Sequence, residues 1–224
     1  MMNVLHEDAA SGLAFRLRPA AGQPAARLFL LHGVGGNETN LLPLADTIDQ
    51  RVQVVFVRGP LELGSGQYAW FDVRFGSQGP VINAAQADES RLSLLRLVRA
   101  MASTDANASV PVLMAGFSQG GILSASVALS SPEDVERFAV LSGRILPELE
   151  PHLAPAEKLA RLSAFISHGR LDDKLPVKFA EHAHSWLTRL GVPHEMHLYS
   201  VGHTLTGDIV GDFSRWVSQQ TNLV

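Results

Sequence analysis

Short apolar runs that alternate with stretches of helical period constrain this chain most. Runs rich in branched residues at 13–17, 26–31, 52–57, 110–115, 137–142, 164–167 and 194–199 are expected strands. Those from 52–57 to 164–167 are nearly all apolar, as central parallel strands covered on both faces must be. Helices are expected between them, over 39–49, 84–103, 119–130, 177–190 and 206–219. In 84–103, Leu94, Leu97, Val98 and Met101 share one helical face. In 177–190, Phe179, Ala183, Trp186, Leu187 and Leu190 do the same, and Gly191 and Pro193 end the segment. Strands alternating with helices specify an α/β fold with a mostly parallel central sheet and helices on both faces. The first two strands lack a helix between them and are expected to pair antiparallel at one edge. With no repeat and no linker, residues 1–224 are expected to form a single domain. Residues 58–81 and 144–159 read as long irregular stretches, and long ordered loops in compact domains are often functional.

Composition excludes several classes. The chain has 224 residues, 46% of them hydrophobic and 18% charged, enough to bury a core without staples. The net charge is −4 and basic residues are scattered, so no nucleic-acid footprint is present. Cysteine is absent, which removes disulfides, thiolate metal sites and a cysteine nucleophile. His6, Glu7 and Asp8 stand where a signal peptide needs a basic start and an apolar stretch. No apolar run approaches the roughly 18 residues of a membrane span. The expectation is a cytoplasmic protein with no membrane span.

Gly116-Phe117-Ser118-Gln119-Gly120 fits G-x-S-x-G. Its setting matters more than the pattern: an apolar strand run precedes it and a helical run follows, as a nucleophile elbow requires. A serine needs a base, and in this strand–turn–helix context the order is Ser, then Asp or Glu, then His. Asp172 follows the run at 164–167, with Asp173 as its neighbouring competitor. His203 follows the run at 194–199. Ser118, Asp172 and His203 therefore emerge at one edge of the sheet, where open α/β folds bind ligands. Acyl transfer also needs backbone N–H donors for the developing oxyanion. The residue after the serine, Gln119, supplies one, and Val34 in the loop after an early strand supplies the other. That loop lacks the spacing of a nucleotide-binding motif, and no histidine pair has zinc-site spacing. No metal or cofactor is needed.

Together, Leu31-His32-Gly33-Val34-Gly35-Gly36-Asn37-Glu38, Gly116-Phe117-Ser118-Gln119-Gly120-Gly121, His168-Gly169-x-x-Asp172 and Gly202-His203 resemble the phospholipase/carboxylesterase family of α/β-hydrolases. These are the small bacterial esterases related to acyl-protein thioesterases. The resemblance implies an α/β-hydrolase fold without a large lid domain. It makes Ser118 the nucleophile, His203 the general base and then acid, and Asp172 the residue that orients His203. Val34 and Gln119 become the oxyanion hole. The Tyr68-Ala69-Trp70-Phe71-Asp72 segment resembles the family's border of the acyl pocket, which assigns Trp70 and Phe71, with Leu175, to the substrate; core positions are the alternative for both aromatics. The chain departs from the family where Asp173-Lys174 replaces a common proline after the aspartate. Val34-Gly35-Gly36, in place of the leucine of the eukaryotic thioesterases, favours the bacterial branch.

The expected activity is hydrolysis of short to medium acyl esters, a small-molecule substrate. A thioester or a lysophospholipid needs the same groups. A non-enzymatic binding protein on the same fold is the reading from another class, and the complete serine, aspartate and histidine set argues against it. Trp70, Phe71 and Leu175 point to an uncharged acyl chain. His32 and His168 are expected to brace loops, and Arg144, at another strand's carboxyl end, is expected in solvent, with the pocket mouth as the alternative. Oligomeric state is open, a homodimer included.

Overall fold

The computed structural model describes residues 4–76, 79–104 and 110–223. In chain order the strands are β1 (His6–Asp8), β2 (Leu13–Arg18), β3 (Ala26–Leu31), β4 (Val52–Val57), β5 (Leu61–Gly64) and β6 (Gln67–Ala69). They continue as β7 (Val73–Gly76), β8 (Gly79–Ile82), β9 (Val112–Phe117), β10 (Arg137–Leu141), β11 (Ser163–Gly169) and β12 (His194–Tyr199). The helices are α1 (Leu42–Ala45), α2 (Ala84–Thr104), α3 (Gln119–Ser130), α4 (Ala156–Leu159), α5 (Lys178–Arg189) and α6 (Gly207–Gln220).

Eight strands form one sheet in the order β1-β2-β4-β3-β9-β10-β11-β12. The β1–β2 and β2–β4 pairs are antiparallel, and every other neighbour is parallel. This is an α/β-hydrolase sheet. The expected pairing of the first two long strands does not occur, because β4 lies between β2 and β3. Burial explains the order. All six residues of β3 are buried, so it needs strands on both sides, whereas β2 is mostly half-buried and suits a place near the edge.

Successive β3 side chains alternate between two cores, as the period of two requires. Phe29 and Leu31 join the cluster that includes Leu94, Leu97, Leu123 and Trp70 on one face. Leu28 and Leu30 join Ile48, Phe213 and Trp216 on the other. No helix among the described residues is long and apolar enough to cross a membrane.

The expected helix at 39–49 shrinks to the single turn of α1, which has Pro43 in its first turn. The stretch at 58–81 is not irregular: it folds into two hairpins, β5–β6 and β7–β8, although residues 77 and 78 lie outside the described residues. The 144–159 stretch holds a 3-10 helix, Pro147–His152, before α4. In α5 the buried face is Ala180, Ala183 and Leu187, which leaves Phe179 half-buried rather than in the core.

Candidate active site

β9 runs into α3 with only Ser118 between them. Ser118 has φ 55° and ψ −115°, a left-handed conformation that costs a non-glycine residue of order 1–3 kcal/mol. The surroundings enforce it. A Cβ on Gly116 would overlap the backbone of Gly120, and one on Gly120 would overlap the Leu31 carbonyl. Strand, turn and helix can close this tightly only with glycine at both places. The Ser118 N–H donates to Leu141 O at 2.9 Å, and Ile122 N–H donates to Ser118 O at 3.1 Å, so the elbow is tied into β10 and α3.

Two loops carry the next pieces. The Arg170 and Leu171 N–H groups donate to Tyr199 O at 2.7 Å and Val201 O at 3.0 Å, lacing the turn after β11 to the turn after β12. Gly169 permits this approach, since a Cβ there would overlap the Val201 carbonyl. The lacing sets His203 beside Asp172, and His203 Nδ1 donates to Asp172 Oδ2 at 2.6 Å. Asp172 Oδ1 accepts from the N–H groups of Lys174 and Leu175, at 2.9 and 2.8 Å. His168 is fully buried beneath them. Its Nε2 lies 2.7 Å from Leu175 O, an acceptor only, so that nitrogen carries a proton and donates. The same Nε2 is 3.3 Å from Asp172 Oδ2. Burial holds the His168 imidazole below its ordinary pKa. The Phe117 ring packs against His203, centroids 4.7 Å apart. Asp173, by contrast, is exposed, with Lys174 Nζ 3.5 Å away.

The loop after β3 is held on every side. His32 Nε2 accepts from Gly59 N–H at 2.9 Å, so Nδ1 is the protonated nitrogen and donates to Gly33 O at 2.7 Å. Burial lowers the His32 pKa as well, and both histidines act as neutral braces. Gly35, at φ +77°, donates to Tyr68 O, and Tyr68 N–H returns a bond to Gly36 O, each 2.8 Å. Buried Glu38 accepts from Arg16 at 3.0 Å and from Arg58 at 2.7 and 2.9 Å. Burial alone would raise its pKa, but the guanidinium bonds prevail and hold it at about 2. Within this anchored loop the Val34 N–H has no partner among the described residues, and neither does the Gln119 N–H at the start of α3.

Val34, Ser118, Gln119 and His203 line one cavity of about 270 Å³. Phe71 and Leu175 also line it, together with Phe117, Ile122, Val73, Pro80 and Ile82. Trp70 does not. It is fully buried, its indole N–H donates to His32 O at 2.9 Å, and its own carbonyl accepts from Ser90 at 2.6 Å. The reason is that a large aromatic with one polar atom is most stable in the core where that atom finds an acceptor, and the His32 carbonyl provides it.

The sequence profile of the phospholipase/carboxylesterase family matches residues 15–220. The chain belongs to this family. It is a hydrolase of carboxylic ester bonds of the serine type. Acyl-protein thioesterase 1 of Eremothecium gossypii is 26% identical to this hydrolase over 210 residues, covering 86% of this chain and 87% of that protein. The crystal structure of a carboxylesterase from Mesorhizobium loti has a TM-score of 0.82 at 25% identity, covering 97% of this chain and 99% of that one. The Bacillus cereus carboxylesterase is similar in fold, with a TM-score of 0.76 at 22% identity over 92% of this chain and 94% of that one.

One feature of the hydrolase escaped the sequence reading, and one went to its second alternative. The Gln119 side chain donates to Phe71 O at 2.7 Å and accepts from Trp70 N–H at 3.0 Å, clamping the pocket border to the elbow. The only sequence signal was a long polar residue at the first position of an apolar helix. Arg144, for which solvent was expected over the pocket mouth, lines the cavity. Its signal was its place three residues after the end of β10, at the edge of the sheet that carries the site.

Proposed function

We propose that this family member is a serine carboxylesterase for short to medium acyl esters, with Ser118, His203 and Asp172 as its catalytic residues. The observation that carries the reading is the 2.6 Å bond from His203 Nδ1 to Asp172 Oδ2, beneath a cavity that His203 and Ser118 share. That bond leaves His203 Nε2 as the free nitrogen. Nε2 takes the proton as Ser118 Oγ attacks the acyl carbon, and the C–O π electrons move onto oxygen. The Val34 and Gln119 N–H groups meet that oxyanion. Collapse expels the alcohol, which leaves with the proton from Nε2, and the acyl group stays on Oγ. Water then repeats the sequence and releases the acid. Asp172 Oδ2, by accepting from Nδ1, holds the tautomer that keeps Nε2 free.

The cavity size supports a small substrate. About 270 Å³ lies just below the roughly 300–1,000 Å³ of pockets for drug-sized ligands. A thioester is the second reading, favoured by the likeness to the Eremothecium gossypii thioesterase. A fluorophosphonate probe, read by intact mass, is expected to label the wild type once and leave Ser118→Ala unlabelled. A p-nitrophenyl ester series from acetate to decanoate should show its optimum at the short end. Labelling that persists in folded Ser118→Ala would show that another residue is the nucleophile.

A further inference from the structure

The cavity wall carries a cation that acyl transfer does not use. Arg144 follows Ser142 and Gly143 just beyond β10. The backbone there is fixed against the elbow: Ser142 N–H donates to Ser167 O at 2.8 Å, and a Cβ on Gly143 would stand 3.0 Å from the Ser118 carbonyl. From this anchor the guanidinium lies 5.0 Å over the ring of Phe179, which orients its plane.

Among the described arginines that are not exposed, that guanidinium stands apart. Arg18 donates to the carbonyls of Ala45, Ile48, Asp49 and Val52. Arg58 is bound by Glu38, and Arg91 by Asp88 and Ser130. Arg144 donates no hydrogen bond among the described residues, and its Nε is shut off from solvent. Glu148 favours its charge only from beyond ion-pair distance, while burial works against that charge. An arginine remains charged even so. A half-buried guanidinium whose Nε–H is enclosed without an acceptor, beside a largely apolar cavity, is stabilised by an anion that completes it. Lys174 adds a second positive charge on the same cavity wall.

Building on the esterase reading above, we propose that the ester taken by this site carries a carboxylate, and that Arg144 binds that carboxylate. Phe71, Phe117, Ile122 and Leu175 then hold the methylenes between the carboxylate and the scissile bond. Two oxygens of a carboxylate match the planar fork of a guanidinium, and the bond strengthens where water is excluded. The charge can belong to the acid half or to the alcohol half of the ester.

The test compares kcat/KM for pairs of equal length by pH-stat at constant pH. Monoethyl glutarate against ethyl pentanoate places the charge on the acyl side. The acetate ester of 4-hydroxybutanoate against butyl acetate places it on the alcohol side. In one pair the wild type is expected to favour the charged ester by roughly tenfold or more, about 1.4 kcal/mol, with the gain in KM. That ratio should fall toward one in Arg144→Met, recover in part in Arg144→Lys, and shrink as salt rises. A wild-type ratio near or below one in both pairs overturns the proposal and leaves the esterase reading intact. So does a ratio that Arg144→Met leaves unchanged. Failure of every ester, together with no fluorophosphonate labelling, overturns the esterase reading and this proposal with it. Where Arg144→Met does not fold, Arg144→Gln takes its place, and a wild-type preference abolished by Lys174→Gln but kept in Arg144→Gln overturns the proposal.

Discussion

Two neighbouring carboxylates in one loop have opposite fates, and their lone pairs explain why. Asp172 is buried, with Oδ1 bonded to two backbone N–H groups and Oδ2 to His203. Asp173 is exposed beside Lys174. Asp172→Asn puts an amide where His203 Nδ1–H needs an acceptor, and the other imidazole tautomer then blocks Nε2 as a base. Its kcat is expected to fall about 10³–10⁴-fold with the fold retained, while Asp173→Asn stays within about threefold of wild type, as a surface change does. Equal losses in steady-state kinetics would return the orienting role to an open question between the two. The sequence could not separate this pair, because adjacent loop residues share chain order and spacing; only the lacing of the loop after β11 to the loop after β12 decides which one is buried. The choice of solvent over the pocket mouth for Arg144 has a related cause. Its exposure depends on Phe179, which helical periodicity had assigned to the core one residue out of phase.

Elements were more legible than side chains where apolar pattern decides them. The range 119–130 expected for α3 is the observed one, and β3, β4 and β12 also keep their expected bounds. The pairing of β2 was illegible, because strand order depends on burial against distant partners. The two hairpins at 58–81 were missed because their strands are three or four residues long and largely exposed, with little hydrophobic alternation to read. The loop between β3 and α1 shows what such contacts support. Glu38 holds Arg16 and Arg58 together beneath the segment that presents Val34. Glu38→Gln leaves two guanidiniums facing a neutral amide and is expected to cost about 2–4 kcal/mol at neutral pH, near the range for breaking a buried pair. The sign with pH follows from a folded pKa of about 2 against an ordinary value of 4.5. The contribution is complete above 4.5 and is lost as pH falls toward 2, where the folded state also takes up the proton. Urea unfolding of wild type and variant should therefore differ most at neutral pH, narrow through pH 4 to 3 and converge only near pH 2. A gap of constant size across that range would mean that Glu38 acts through packing rather than charge.

At the scale of the molecule, the site is assembled from the ends of β3, β9, β11 and β12, whose residues span the chain from Val34 to His203. Such a site exists only while the sheet is whole. The two cores lie on opposite faces of that one sheet, and β3 contributes to both through alternate side chains. Losing either core removes half the burial that holds β3 between β4 and β9, so the faces should not melt independently. The tryptophans allow a direct check, since Trp70 sits in one core and Trp216 in the other. Variants that keep Trp70 or Trp216 as the sole tryptophan, with Trp186 replaced in both, report each face by fluorescence. Each variant's fluorescence midpoint in urea is expected to coincide with its own far-ultraviolet dichroism midpoint, as one cooperative domain over residues 1–224 requires. A Trp216 transition displaced from the dichroism of the same variant, with Trp70 unchanged, would show that the α6 face opens separately. Loss of ester hydrolysis at lower urea than either tryptophan would instead locate the weak point in the loops that carry Asp172 and His203, outside the sheet itself.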